Sequence, residues 1–215
     1  MTEVSDRSYS GRPVQEWKAA RRERLLAAAL ELFASEGYQS TSIERLCATA
    51  KVSTRHFYQE FGNKESVLIA VHEDGVRHGM EQAAAELAAE LAAAPPAPIQ
   101  ERLRRALTAY LHTVMADPRL ARIAFVEVVG VSIAVEEQRL GFREAIVGLI
   151  DAEGQAAVRR GELAPRDFRF LGMALIGAVN ATVYDWLLHE PQPPAAQLQA
   201  SIVRLALDML GVREG

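Results

Sequence analysis

Apolar residues recur at helical spacing along nearly the whole chain. Leu25, Ala29, Leu32 and Phe33 make one apolar face of a helix that begins near Trp17 or Lys18 and ends before Gly37, where a left-handed cap is expected. Thr41 opens a second helix, with Glu44 three residues later, the pattern of a capping box in which each side chain satisfies a free backbone amide. Ile43, Leu46, Cys47 and Ala50 supply its inner face. Ala50-Lys51-Val52 forms a tight turn, and Ser53 caps a third helix. Thr54, Arg55 and His56 occupy its first turn, Phe57 points inward, and Tyr58, one residue round, points outward. Phe61 and Gly62 end it. Asn63 caps a fourth helix, with Lys64 in its first turn. No strand-like alternation persists beyond Leu68. Breaks at Pro95 to Pro98, Asp117-Pro118, near Gly130, Gly161 to Pro165 and Pro191 to Pro194 leave helices at about 63–93, 98–116, 118–129, 132–160, 166–189 and 195–211. The Ala-rich stretch Ala83 to Ala94 is a strong helix former. The pattern predicts an all-α fold of about nine helices.

Three short helices, a tight turn and exposed polar groups on the third make the layout of a helix-turn-helix reader of the DNA major groove. The expected organisation is an arm over residues 1–15, a DNA-binding domain over 16–64 and a larger ligand-binding and dimerisation domain over 65–215. Charge follows this division. Residues 1–64 hold 10 Lys and Arg against 8 Asp and Glu, a net of +2; residues 65–215 hold 14 against 20, a net of −6, which gives −4 for the chain. A basic end on an acidic body suits a protein that presents one face to phosphates. Arg12, Lys18, Arg21, Arg22 and Arg24 cluster about the start of the first helix and read either as phosphate contacts or as a solvated face.

The stretch from Glu23 to Leu68 resembles the TetR family of bacterial transcriptional regulators. The resemblance is carried by Ala28, Ala29, Leu32 and Phe33, by Gly37 and Thr41, and by Val52-Ser53 through Phe57-Tyr58, Phe61 and Lys64. It departs at Lys51, where the family usually has Gly, and at Cys47, where it often has Ala. A left-handed conformation at Lys51 would cost about 1 kcal/mol. The resemblance implies a DNA-facing set of Thr41, Ser42, Ser53, Thr54, Arg55, His56, Tyr58 and Lys64, with Tyr58 and Lys64 on the phosphate backbone. Tyr58 also reads as half-buried packing. Arg55 and His56 can reach base edges, and Arg can pair bidentately with guanine.

In the body, Phe170, Leu171, Met173, Leu175, Ile176, Val179, Val183 and Leu187 leave one helix almost no polar face. Such a helix must be buried on all sides. A partner chain supplies that cover economically; a monomeric core is the other reading. The expected homodimer interface comprises Gly172, Leu175, Ile176 and Val179 with Leu198, Ile202, Leu205 and Met209 of the last helix. Two reading heads related by a twofold axis then meet a near-palindromic double-stranded operator. The resemblance also implies a small-molecule effector pocket, to which Tyr110, His112, Met115, Phe125, Glu127, Asn180, Tyr184 and Trp186 are candidates, each of which also reads as ordinary core. Glu127, flanked by Phe125, Val126, Val128 and Val129, would be costly to bury unpaired.

No run of about 18 uninterrupted apolar residues occurs, so no transmembrane helix is expected, and the polar N-terminus is unlike a secretory signal. One cysteine is compatible with the cytoplasm. His72 and His78 are six apart rather than the four that puts two metal ligands on one helical face. No Gly-rich phosphate loop, HExxH or Gly-x-Ser-x-Gly is found, so neither catalytic residues nor a cofactor nor a metal is expected. The reading is a ligand-responsive repressor; the alternative is an all-helical enzyme or carrier with a vestigial helix-turn-helix.

Overall fold

Helix starts in this chain fall where a short polar side chain can close the first free amides. The computed structural model describes residues 14–93, 95–190 and 192–211. Among these run nine α-helices: α1 (Val14–Ser35), α2 (Ile43–Ala50), α3 (Thr54–Glu60), α4 (Lys64–Ala92), α5 (Ile99–Met115), α6 (Pro118–Arg122), α7 (Ile133–Arg159), α8 (Phe168–Leu188) and α9 (Ala195–Met209). No strand occurs among the described residues. Ser53, Asn63, Ser132 and Asp167 each accept the amide three residues on and so open α3, α4, α7 and α8.

Two starts differ from the sequence reading. α1 begins at Val14, so the end of the expected arm is helical; residues 1–13, and Arg12 with them, lie outside the described residues. α2 is capped by Ser42, not Thr41. Ser42 is extended (φ −89°, ψ 161°) and takes the Arg45 amide at 3.1 Å. Thr41 is fully buried, its Oγ1 donating to the Gly37 carbonyl at 2.8 Å, because the left-handed turn at Gly37 (φ 86°) folds that carbonyl back under α2. The helix expected over 118–129 is also two pieces. α6 passes into one π-helical turn, Ile123–Glu127, where the Val128 amide reaches back five residues to the Ile123 carbonyl at 3.3 Å.

The chain divides after Val71, inside α4, into two compact units. The first has a core of Leu25, Ala29, Leu32 and Phe33 of α1, Leu46 and Cys47 of α2, Phe57 of α3, and Val67 and Leu68 of α4. In the second, α5, α8 and α9 share a core of Leu111, Val114, Phe168, Val183, Trp186, Ile202, Val203 and Leu207. Arg102, only 1% exposed, pins α5 to the end of α7: its guanidinium donates to both Glu162 oxygens (2.9 and 2.6 Å) and to the Ala97 carbonyl (2.6 Å). Arg160 completes the network on Glu162 and Glu153. Arg102 above all holds the Glu162 carboxyl below the usual carboxylate range.

α8 is long and apolar enough to cross a membrane by length and composition alone. Here it packs against α7 and α9. The expectation that α8 is buried on all sides is not met within one chain: Phe170 (61% exposed), Met173, Tyr184 and Leu188 stay open along one stripe.

α7 and α8 approach closely at Gly154. A Cβ built there would lie 2.4 Å from Cγ of the fully buried Phe168. Gly154→Ala gains up to about 1 kcal/mol of helix propensity but forces the ring aside, an overpacking worth about 1–3 kcal/mol. A net loss of about 1–2 kcal/mol is expected, read as a lower urea midpoint at unchanged slope. A raised midpoint would contradict the close packing.

Candidate nucleic-acid interface and ligand cavity

The helix-turn-helix is set by its turn. Lys51 sits in the left-handed region (φ 54°, ψ 45°), the one non-Gly residue with positive φ among those described. Its amide and that of Val52 return to the Ala48 and Cys47 carbonyls at the end of α2. The conformation costs about 1 kcal/mol without glycine, yet it turns the chain directly into Ser53 and α3. Phe57 is buried beneath α3, so Thr54, Arg55, His56, Tyr58 and Gln59 are exposed together. Tyr58 is 52% exposed and meets Phe57 edge-on. Arg55 has no hydrogen bond or ion pair among the described residues, so its whole donor fork is free for a base edge or a phosphate. His56 is held, its Nδ1 lying 2.9 Å from Ser53 Oγ, which leaves Nε2 outward. Thr54 bonds the Cys47 thiol, whose pKa is raised chiefly by burial.

Besides Ser53, which caps α3, three expected DNA contacts are otherwise engaged. Thr41 is in the core and out of reach of DNA. Ser42 is exposed but caps α2. Lys64 is turned inward: its Nζ donates to the carbonyls of Tyr38 and Thr41, both at 2.8 Å, and lies 4.3 Å from the Tyr38 ring centroid. Burial holds its pKa below the ordinary lysine value. Lys64 therefore fastens the α1–α2 connection to α4. Of the basic residues on α1, Arg22 packs over Phe61 at 4.5 Å and pairs with Glu60. Lys18 and Arg24 are exposed, Arg21 is half-buried, and none of the three has an ion pair among the described residues.

Within the second unit lies a cavity of about 290 Å³. Its walls are mostly apolar: Val76, Met80 and Leu87 of α4, Leu103, Leu107 and Val114 of α5, Ile146, Leu149 and Ile150 of α7, Leu175, Ile176 and Val179 of α8, and Ile202 of α9. The π-helical turn presents Ala124 and Phe125 to it. Lining residues run from His72 to Leu87 on α4, Leu103 to Val114 on α5 and Glu136 to Glu153 on α7, about 16–25 Å of each helix. Charge gathers at one end, where the Phe142 ring meets His72 edge-on (5.5 Å) between Arg139 and Arg143. Arg139 pairs with Glu136 at 2.5 Å, whereas Arg143 is exposed and unpaired among the described residues. Glu153, about 20 Å along α7 from Arg139, is held by Arg160 at 2.6 Å.

Of the expected ligand residues, Tyr110, Phe125 and Asn180 line this cavity. Burial pushes the Tyr110 pKa up to about 12. The others do not line it. Glu127 turns back onto Arg122 (3.1 Å). Met115 belongs to the core, as does Trp186, whose Nε1 donates to the Pro193 carbonyl at 2.7 Å. Tyr184 is on the exposed stripe of α8, and His112 is exposed on α5. Helical position explains these misses, because one residue's shift round α8 exchanges wall for exterior. His72, Arg139 and Arg143 entered no ligand expectation. Their signal was present: His72, Val76, Met80, Ala83 and Leu87 follow helical spacing, and Arg139 and Arg143 are four apart.

Two outcomes follow from the half-buried Lys64 and the buried His72 ring. Lys64→Ala orphans two carbonyls and should cost about 1–3 kcal/mol of stability, seen as a lower melting temperature without DNA. An unchanged melting temperature would return Lys64 to a purely phosphate-binding role. His72 is 6% exposed, and burial, then Arg139, lowers its pKa from 6.5 to about 4. Between those values the unfolded chain holds the extra proton, so this contribution is complete above 6.5 and is lost as pH falls toward about 4. Acidification from about pH 7 to about pH 5 should remove roughly 2 kcal/mol through this ring, and His72→Phe should flatten that part of the denaturation profile.

Residues 25–71 match the family model of bacterial regulatory proteins of the tetR family. Residues 96–210, more than half of the chain, match that of the tetracyclin repressor-like C-terminal domain. One relative is the fatty acid metabolism regulator protein of Bacillus subtilis (strain 168), 19% identical over 183 residues, which are 85% of this chain and 91% of that protein. Among solved structures, the regulator FadR from Bacillus subtilis in complex with stearoyl-CoA aligns with a TM-score of 0.75 at 18% identity, covering 89% of this chain and 99% of that one. AibR in complex with isovaleryl coenzyme A and operator DNA aligns with a TM-score of 0.64 at 20% identity, covering 86% and 97%. At these identities the structures speak to the fold. The matched family models cover both the helix-turn-helix and the helical body, and the chain belongs to the TetR family of bacterial transcriptional regulators.

Proposed function

We propose that the protein is a repressor that binds a near-palindromic operator as a homodimer and is released when a long-chain acyl thioester of coenzyme A fills the cavity of its second unit. The carrying observation is that cavity: apolar walls from α4, α5, α7, α8 and α9, with Arg143 and the Arg139–Glu136 pair at one end. The hydrocarbon core of a bilayer, two acyl layers, is about 30 Å thick, so one chain reaches about 15 Å, within the length of helix that lines the cavity. Arg143, exposed and without an ion pair among the described residues, suits one of the coenzyme's phosphates. The acyl-CoA ligands in the FadR and AibR structures support the same class of effector here.

The exposed set on α3 supports the operator role, with Arg55 and His56 on base edges, Ser53, Thr54 and Tyr58 beside them, and Lys18, Arg21 and Arg24 on phosphates. For the dimer, the interface expected from sequence moves round α8. Gly172, Leu175 and Ile202 are buried in the chain's own packing. The open stripe is Phe170, Met173, Gly177, Ala181, Tyr184 and Leu188, joined by Leu205 of α9. Small residues at its middle let a second helix approach closely, and Ile176, Val179, Leu198 and Met209 are half-buried in the same two helices. α4 carries both Lys64 and the cavity wall from His72 to Leu87, so a ligand that prefers one position of α4 shifts DNA affinity through that helix. Such a regulator acts in the cytoplasm, where operator DNA is accessible.

Duplexes selected from a random pool should carry a near-palindromic site. Palmitoyl-CoA should weaken binding to that site about 5–150-fold by fluorescence anisotropy, while free coenzyme A does not. No shift with any acyl-CoA would overturn the effector reading. Arg55→Ala should relax preference at one base pair and cost about 1–3 kcal/mol. Unaltered preference at every position would remove Arg55 from base readout.

A further inference from the structure

Beyond the far end of the cavity lies a second, smaller space of about 60 Å³, an annex to the first. Helical register puts the two in line. On α5 the main cavity is lined from Val114 back to Leu103, and the annex continues to Ile99. On α7 the main cavity ends at Glu153, and the annex reaches Gly154. On α8 the lining passes from Asn180 back to Leu175 and then to Leu171; on α9 it passes from Ile202 to Ala206 and Met209. The annex therefore extends the cavity away from the end that carries Arg139 and Arg143. Leu103, Leu107, Ile150, Glu153 and Leu175 line both spaces, so only side chains stand between them. Every wall of the annex is apolar except at Glu153, whose carboxylate pairs with Arg160 at 2.6 Å and with Arg102 at 3.7 Å. A water needs roughly two to four polar partners, which these walls do not offer, so the annex suits hydrocarbon alone.

Length supplies the occupant. From Arg143 to Glu153, α7 advances about 15 Å, and one acyl chain alone reaches about 15 Å. With a phosphate at Arg143, the pantetheine arm of the coenzyme comes before the thioester and takes up part of that run. An extended long chain then overruns the wall that ends at Glu153, and the space it runs into is the annex. A short chain ends before the shared side chains and leaves the annex empty.

We infer that the annex receives the methyl end of the acyl chain across a threshold of Leu103, Ile150 and Leu175, and that it makes chain length the property the protein discriminates. The inference rests on the acyl-thioester reading above, and the test separates the two. Titration calorimetry compares saturated acyl-CoAs from octanoyl-CoA to palmitoyl-CoA. Each methylene taken out of water is worth about fourfold in affinity, so wild-type affinity should rise about tenfold per two carbons as far as palmitoyl-CoA. Ala206→Leu and Leu171→Phe place added bulk in the annex from two different helices. Both should bind octanoyl-CoA as the wild type does and weaken palmitoyl-CoA about 10- to 100-fold, the worth of a few methylenes. Ala206 is fully buried; if A206L does not fold, L171F, at a half-buried position, and the wild-type series still decide. A wild-type affinity that stops rising well short of palmitoyl-CoA overturns the annex as the chain's terminus. So do variants that keep the wild-type affinity for palmitoyl-CoA, or that weaken octanoyl-CoA and palmitoyl-CoA alike. Binding of no acyl-CoA of any length to the wild-type protein overturns the acyl-thioester reading and the inference with it.

Discussion

A single half-buried cation organises the DNA-reading unit. The ammonium of Lys64 holds two carbonyls, Tyr38 and Thr41, that lie more than twenty residues upstream, and it rests against the Tyr38 ring. Carbonyls in a connection have no helical partner and need one when water is excluded. By supplying it, Lys64 ties the α1–α2 connection to the start of α4. The rest of the unit then follows from local rules. Thr41 closes onto Gly37, Ser42 caps α2, Lys51 turns the chain, and Ser53 caps α3 with Phe57 buried beneath it. Each step leaves the outer surface of α3 free for Arg55, His56 and Tyr58.

The body is organised by a different device. Arg102 and Arg160 clamp Glu162 and Glu153, so charge-assisted bonds add to apolar packing in fixing α5 against the end of α7. Pairing is what makes a guanidinium tolerable at 1% exposure. With those helices fixed, the side chains between α4, α5, α7 and α8 do not fill the space, and the π-helical turn brings Phe125 to its edge. His72 and Arg143 line one end of it, and Arg143 has no ion pair among the described residues.

These features bear on one another through α4, which begins at Lys64 and forms a cavity wall as far as Leu87. On the proposed reading, a ligand that prefers one position of that helix alters DNA affinity, and by linkage DNA alters ligand affinity by the same factor.

Much of this was legible in the residues. Helix number, breaks and caps are local properties, fixed by spacing, Pro and Gly punctuation and short polar side chains, so nine helices and the helix-turn-helix could be read directly. The left-handed turn at Lys51 was legible only through the family resemblance, in which glycine usually stands there. What the sequence could not supply was direction. Whether Lys64 points to phosphate or to the Tyr38 and Thr41 carbonyls depends on groups distant in the chain. Leu175 and Met173 of α8 are both apolar and two positions apart, yet one faces the core and the other the exterior. Glu127 meets Arg122 only because a π turn intervenes. Composition makes α8 apolar on every side; only packing against α7 and α9 decides which stripe remains for a partner. His72 shows the same limit: a lone histidine on a helix says nothing until tertiary structure buries it beside Phe142 and Arg139 on the cavity wall.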